Sequence, residues 1–357
     1  MSQVVLLVGT RKGLFVLEST DRKSWKRRGP FCESWPVYHA VYDKETGTIY
    51  VAAGSEWHGA AVWRSSDLGE TWAWSGEGLK RGDDEFPITK VASLSVSHGR
   101  LLAGVGSPGI YESRDGGVTW SHVSDLEDQP AHEQFKNPEN SPPGKLGLIA
   151  TVPHPDDEKR FFANVQGFGV WETEDGGSSW TPRNNGLRAA WPLDDPAWGY
   201  CVHKLLRSPV DADRLFEMTH VGAYVSSDGG KSFTEITEGL PSDFGFAAAV
   251  HPHDRDTAYM IPLDPEHGRY MHEGQVAVWK TSNAGSDWQK LTKGLPAEGA
   301  YLGVLREGMA MDSLETPGVY FGTSTGQIFA SADDGESWSE LADYLPGITS
   351  VTTAVID

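Results

Sequence analysis

The chain has little cysteine, little basic charge and no long hydrophobic run. Only two of its 357 residues are cysteines, Cys32 and Cys201, too few for a disulfide framework, so buried free thiols are expected in preference to a single bridge. Thirty Lys and Arg stand against 50 Asp and Glu, for a formal charge of -20. Such a surface repels nucleic acid and anionic membranes, and neither is expected as a partner. No stretch is long enough to span a bilayer. The opening M-S-Q-V-V-L-L-V-G-T-R-K lacks a charged leader before its apolar run and reads as a strand, which makes a cytoplasmic protein the default expectation. A sustained helical period is also missing. With 41 Gly, 21 Pro and short apolar runs, the chain reads as all-β, although its length alone would suggest two ordinary domains.

What the chain has in abundance is one octet. Ser113-Arg-Asp-Gly-Gly-Val-Thr-Trp120 recurs as Ser65 to Trp72, Thr173 to Trp180, Ser226 to Phe233, Thr281 to Trp288 and Ser331 to Trp338. A decayed copy aligns at Glu18 to Trp25, with Thr20 and Arg22 standing where Asp and Gly are expected. The closing aromatics at 25, 72, 120, 180, 233, 288 and 338 are 47, 48, 60, 53, 55 and 50 residues apart. That is the period of a four-stranded propeller blade. Each copy follows a short strand with an aromatic, such as Ala61-Val62-Trp63 or Gly169-Val170-Trp171, and several precede a Gly-Leu or Leu-Pro turn, such as Gly78-Leu79 and Leu345-Pro346. A carboxylate repeated at this spacing holds a turn: it accepts backbone N–H groups, glycine supplies the positive φ, and the aromatic packs between sheets. The Asp-x-Gly unit lacks the further ligands of a calcium loop.

This pattern resembles the Asp-box (BNR) repeat family, seen in sialidases, xyloglucan-cleaving endoglucanases, sortilin-type receptors and photosystem II assembly factors. The resemblance implies an all-β, seven-bladed propeller of four-stranded antiparallel blades, with the C-terminal strand Ile348 to Ile356 closing the first blade. One domain is expected over 1–357, with blades near 1–30 plus 347–357, 31–80, 81–125, 126–187, 188–240, 241–296 and 297–346. In the family the boxes lie between the third and fourth strands of each blade, away from the binding face. The relatives share blades and not chemistry, so function must come from the site.

If each blade is numbered from the axis outward, the connections between second and third strands share a face with those leading to the next blade. The long insertions Lys80 to Phe86, Ser124 to Gly144 and Arg188 to Trp198 fall there, as do Trp35, Trp57, Trp191 and Trp198. Ionisable residues concentrate on the same face, among them His203, Glu266, His267 and Glu273. The candidate catalytic residues are Glu56, Asp264, His58 and His220; the candidate ligand-binding residues are Arg11, Lys12, His39, Trp57, Lys204, Arg269 and His272. Arginine and lysine would clamp an acidic group, tryptophan would stack on a sugar, carboxylates would act as acid or base, and histidines would carry protons or bind metal.

A true sialidase is not expected. The Phe/Tyr-Arg-Ile-Pro motif is missing, sialidases have six blades, and Arg11, Arg269, Arg207 and Arg306 cannot be assigned to an arginine triad. The expectation is therefore a propeller that binds a small polar, carbohydrate-like or acidic ligand, with glycoside hydrolysis as its reaction if it has one. The alternatives are a non-catalytic scaffold for a protein partner, or a metal-dependent enzyme. No cofactor is expected; a divalent ion would need His58, His220, His267 or His272 with Glu56 or Glu273.

Overall fold

The computed structural model describes residues 2–80, 88–106, 109–124, 126, 148–191 and 199–357. Asp83, Asp84, Glu85, Lys145, Asp194, Asp195, Trp198 and nearly all of the 124–144 insertion lie outside the described residues. The chain divides into two compact units, Met1–Val37 with His203–Asp357, and Tyr38–Val202.

The described strands are short and antiparallel; five sheets have four strands each, and the other eight strands form two groups of four joined where Gln166 and Gly167 pair with Cys201 and Tyr200. In the second unit the groups are Val37–Asp43, Thr48–Ser55, Gly59–Ser65 and Ala73–Ser75; Val91–Ser97, Arg100–Val105, Gly109–Ser113 and Ser121–Ser124; and Leu148–Pro153, Phe161–Gly167, Gly169–Thr173 and Thr181–Pro182. In the first unit, Gly245–Val250, Ala258–Pro262, Val278–Thr281 and Gln289–Leu291 form one sheet, and Met309–Met311, Val319–Gly322, Ile328–Ser331 and Ser339–Ala342 another. Asp211–Thr219, Gly222–Ser226 and Thr234–Glu235 follow Tyr200–Ser208 in a further group. The remaining sheet joins both ends of the chain: Ile348–Ile356 pairs with Gln3–Thr10, from Gln3 opposite Ile356 to Thr10 opposite Ile348, and Gly13–Ser19 and Lys26–Phe31 follow on the other side.

Burial follows from pairing. Second strands such as Thr48–Ser55 and Val319–Gly322 are buried along nearly their whole length, so they carry continuous apolar runs rather than alternation. Within the first unit, neighbouring sheets pack side by side, with Phe246, Ala247, Ala249, Tyr259 and Ile261 of one against Met309, Val319, Phe321, Phe329 and Trp338 of the next.

The octets sit between third and fourth strands, and their hydrogen bonds explain the residue types. In Ser113 to Trp120, Asp115 Oδ1 accepts the Val118 N–H at 3.1 Å and the Thr119 N–H at 2.9 Å, while Oδ2 accepts the Thr119 hydroxyl at 2.6 Å. Ser113 donates to Asp115 at 2.8 Å and accepts the Gly117 N–H at 2.9 Å. The same ring of bonds forms around Asp67, Asp175, Asp228 and Asp333. Hydrogen bonds from Thr71, Thr119 and Ser179 are the main cause that lowers the carboxyls of Asp67, Asp115 and Asp175 to about 2, so all three are ionised acceptors at neutral pH.

The first copy requires a correction. Asp21, not Thr20, occupies the aspartate role: its Oδ1 accepts Lys23 N–H and Ser24 N–H, each at 2.8 Å, and Ser19 supplies the partner hydroxyl. The turn is one residue shorter, and Arg22 takes its positive φ of 55°. An ungapped octet alignment placed the aspartate one residue too early.

Glycine is required where the backbone approaches closely. A Cβ on Gly335, at φ 92°, would lie 2.7 Å from Leu291 Cδ1; one on Gly78 would lie 1.9 Å from the Trp120 carbonyl oxygen.

Candidate functional site

The connections from second to third strands carry most of the sequence-nominated residues. Arg11 and Lys12 form an exposed turn closed by Thr10, whose hydroxyl donates to the Gly13 carbonyl at 2.7 Å and accepts the Lys12 N–H at 3.2 Å. Glu56, Trp57 and His58 form another, in which Ser55 Oγ accepts the N–H groups of Trp57 and His58. Trp57 is 93% exposed, so its ring is not folded down against its own loop. His39 lies on Val37–Asp43, where its Nδ1 accepts the Leu94 N–H at 3.2 Å. That bond fixes the tautomer with the proton on Nε2.

In the first unit, the loop between Ala258–Pro262 and Val278–Thr281 holds Asp264, Arg269 and His272. Asp264 Oδ1 accepts the N–H groups of Glu266 at 2.9 Å and His267 at 3.0 Å, and the His267 ring lies 3.2 Å away. The His267 N–H is the main cause that holds this carboxyl below the usual range, which suits it to fixing its turn as an ionised acceptor. His272 is exposed at the start of a single 3-10 turn, His272–Gly274. Lys204 on Tyr200–Ser208 is ion-paired with Glu307.

His220 and Arg269 come together, with partners that the sequence reading did not join to them. The His220 ring packs edge-on against Phe244 at 4.9 Å and against His203 at 5.5 Å; His203 in turn lies 4.6 Å from Phe246. Phe244 and Phe246 are themselves in edge contact at 5.0 Å. Two guanidinium groups lie over this pair: Arg269 at 5.4 Å from Phe244 and 5.9 Å from Phe246, and Arg306 at 4.7 Å from Phe246. Each such contact contributes about 0.5–2 kcal/mol, more where water is excluded. Phe244 and Phe246 project together because they flank Gly245 at the start of a strand, where the side-chain period is two.

The electrostatics follow from burial beside positive charge. His203 is 1% exposed, and its Nδ1 is 2.6 Å from the Gly245 carbonyl. Burial first, and then Arg306, push it well below the usual imidazole range, so it is neutral at pH 7 and donates through Nδ1. His220 is lowered by burial and then by Arg269, with Asp243 pulling the other way. The result is two neutral imidazoles and two guanidinium groups on an aromatic floor. Arg269 is exposed and holds a positive φ of 61°, and among the described residues its guanidinium makes no ion pair. Phe244-Gly245-Phe246 after the Leu240-Pro241 turn was the available sequence signal for this floor, but nothing in sequence pairs it with Arg269 or Arg306.

Both cysteines are buried free thiols, and burial pushes the Cys32 thiol far up. No helix among the described residues is long and apolar enough to cross a membrane.

No model of a known protein family matches the chain. A xyloglucanase of Hypocrea jecorina (strain QM6a) is 24% identical over 328 residues, 86% of this chain and 33% of that protein. A xyloglucanase of a Paenibacillus species is 24% identical over 258 residues, 66% of this chain and 24% of that protein. The chain thus spans about a third and about a quarter of the curated relatives' lengths. Among solved structures, a GH74 enzyme of Niastella koreensis superposes with a TM-score of 0.68 at 16% identity, covering 94% of this chain and 52% of that one. YCF48 of Cyanidioschyzon merolae gives 0.55 at 13%, covering 87% and 86%, and the WD40 beta propeller domain of Doa1 gives 0.56 at 12%, covering 93% and 90%. Taken with the antiparallel four-strand groups, these likenesses show that the chain has a β-propeller fold.

Proposed function

We propose that this protein is a seven-bladed Asp-box propeller, closed by its C-terminal strand, that binds a polar ligand of carbohydrate-like or acidic character on the face formed by the second-to-third strand connections. The observation that carries the reading is Arg269, unpaired among the described residues and stacked with Arg306 over Phe244 and Phe246 beside two neutral histidines. In a chain of net charge -20, a local excess of guanidinium over carboxylate attracts an anionic or hydroxyl-rich ligand. Aromatic surface beside polar groups suits a sugar ring. Similarity to two xyloglucanases supports the carbohydrate side of this reading.

Glycosidase-like hydrolysis is the second reading, favoured by those same relatives. It requires two carboxyl groups across the scissile bond. Glu56 is exposed at the tip of its turn, whereas Asp264 spends its carboxylate on its own turn. The test is a panel of fluorogenic glycosides and xyloglucan oligosaccharides, assayed for binding and turnover with wild type, Glu56→Gln, Asp264→Asn and Arg269→Gln. Saturable binding weakened by Arg269→Gln supports the binding reading. Turnover lost in folded Glu56→Gln supports hydrolysis, and failure of every glycan to bind overturns both.

A further inference from the structure

The loop bearing Arg269 also presents an aromatic pair. Tyr270 packs edge-on against Tyr301, centroids 4.9 Å apart and planes at 90°, and Tyr301 is 63% exposed. The Met271 N–H donates to the Leu302 carbonyl at 2.8 Å, and a Cβ on Gly303 would stand 3.1 Å from the Arg269 carbonyl oxygen, so the two loops are locked together. The exposed ring of Tyr301 and the Arg269 guanidinium, unpaired among the described residues, therefore stand on two loops held against each other.

We propose that Arg269 grips the carboxylate of a sugar acid, with Arg306 supplying a second positive charge, while Tyr301 packs against the sugar ring. The proposal rests on the ligand-binding reading above and narrows it to a uronic-acid class. Two physical points carry it. A guanidinium fork matches a carboxylate in two parallel hydrogen bonds. Stacking on Phe244 and Phe246 pre-orients the Arg269 fork, so less side-chain freedom is lost on binding. The charged groups that shift the two imidazoles are Arg269, Arg306 and Asp243, and the Cys201 thiol lies within 4.8 Å of both rings, so an arriving carboxylate offsets positive charge there and favours proton uptake onto a histidine.

The experiment measures binding of methyl galacturonate, methyl galactoside and inorganic phosphate by ligand-observed NMR and calorimetry, the latter in two buffers of different ionisation enthalpy. Galacturonate is expected to bind at least about tenfold more tightly than galactoside, with proton uptake near pH 6. Arg269→Gln should abolish that preference, bringing galacturonate down to the affinity of galactoside measured on the same variant, and Arg269→Lys should restore part of it. Tyr301→Ala should weaken both sugars alike. Both residues are exposed, and a wild-type circular dichroism spectrum with cooperative unfolding verifies that the variants fold. Equal binding of the two sugars overturns the carboxylate inference and leaves the glycan reading standing. Phosphate binding without galacturonate binding overturns the sugar-acid assignment, and absence of all binding overturns both.

Discussion

Replacing Asp333 by alanine tests whether the repeated aspartate is there for the turn. Its Oδ1 accepts the Ser337 N–H at 2.9 Å and the Ser331 hydroxyl at 2.7 Å, and its Oδ2 accepts the Ser337 hydroxyl at 2.5 Å. Alanine removes all three. Loss of an aspartate that caps backbone N–H groups costs about 0.5–2 kcal/mol, and bonds to a charged acceptor lie toward the upper end. The site is only half-buried, so water recovers part of the loss, and about 1–2 kcal/mol remains. For a chain of 357 residues that lowers Tm by about 1–3 °C. The chain contains its own control, because Asn283 fills the same position: its Oδ1 accepts the Asp287 N–H at 3.1 Å and its Nδ2 donates to Asp287 at 2.7 Å. Asp333→Asn should therefore lose no more than about 0.5 kcal/mol. Burial raises the Asp333 carboxyl, but the bonds from Ser337 and Ser331 outweigh it and hold it below the usual range. Its contribution is thus complete above the ordinary carboxylate pKa and fades as pH falls through the lowered one, so the gap between wild type and Asp333→Ala should narrow in acid. Calorimetric unfolding at pH 7 and pH 3 measures both effects. An unchanged Tm in Asp333→Ala, or equal losses in the two variants, would refute the turn-holding account.

Two buried groups give further predictions. Glu217 is fully buried, neither carboxyl oxygen has a hydrogen-bond partner among the described residues, and burial raises its pKa well above the usual range. Stability from this group is complete below the ordinary glutamate pKa and lost as pH rises, so Glu217→Gln should stabilise the protein at pH 7 by about 1–3 kcal/mol and not in acid, as read by denaturant midpoints at pH 4 and pH 7. His203 acts in the opposite direction. Its lowered pKa means that the unfolded chain binds more protons below about pH 6.5, so stability falls as pH drops from there, and His203→Gln should flatten that limb of the Tm-against-pH profile.

The sequence by itself determined the repeat and therefore the sheet. Asp, Gly, Ser/Thr and Trp recur at fixed spacing because each turn must satisfy its own backbone within eight residues, and such local bonding is readable from local sequence. It also placed Arg11, Glu56, His220, Asp264 and Arg269 on second-to-third strand connections, since those follow from strand order. A one-residue deletion in the first turn misled the alignment of Asp21, because hydrogen bonding tolerates a shorter loop that a fixed template does not. Only the tertiary structure decided which ionisable residues act on one another. His203, His220, Phe246, Arg269 and Arg306 lie on five separate stretches of the chain, brought together when neighbouring sheets pack. Their charges and pKa values are properties of that packing: a histidine is neutral because it is buried beside guanidinium groups, and an aspartate such as Asp264 is structural because its own loop folds around it. Neither the burial nor the neighbour is written in the local sequence.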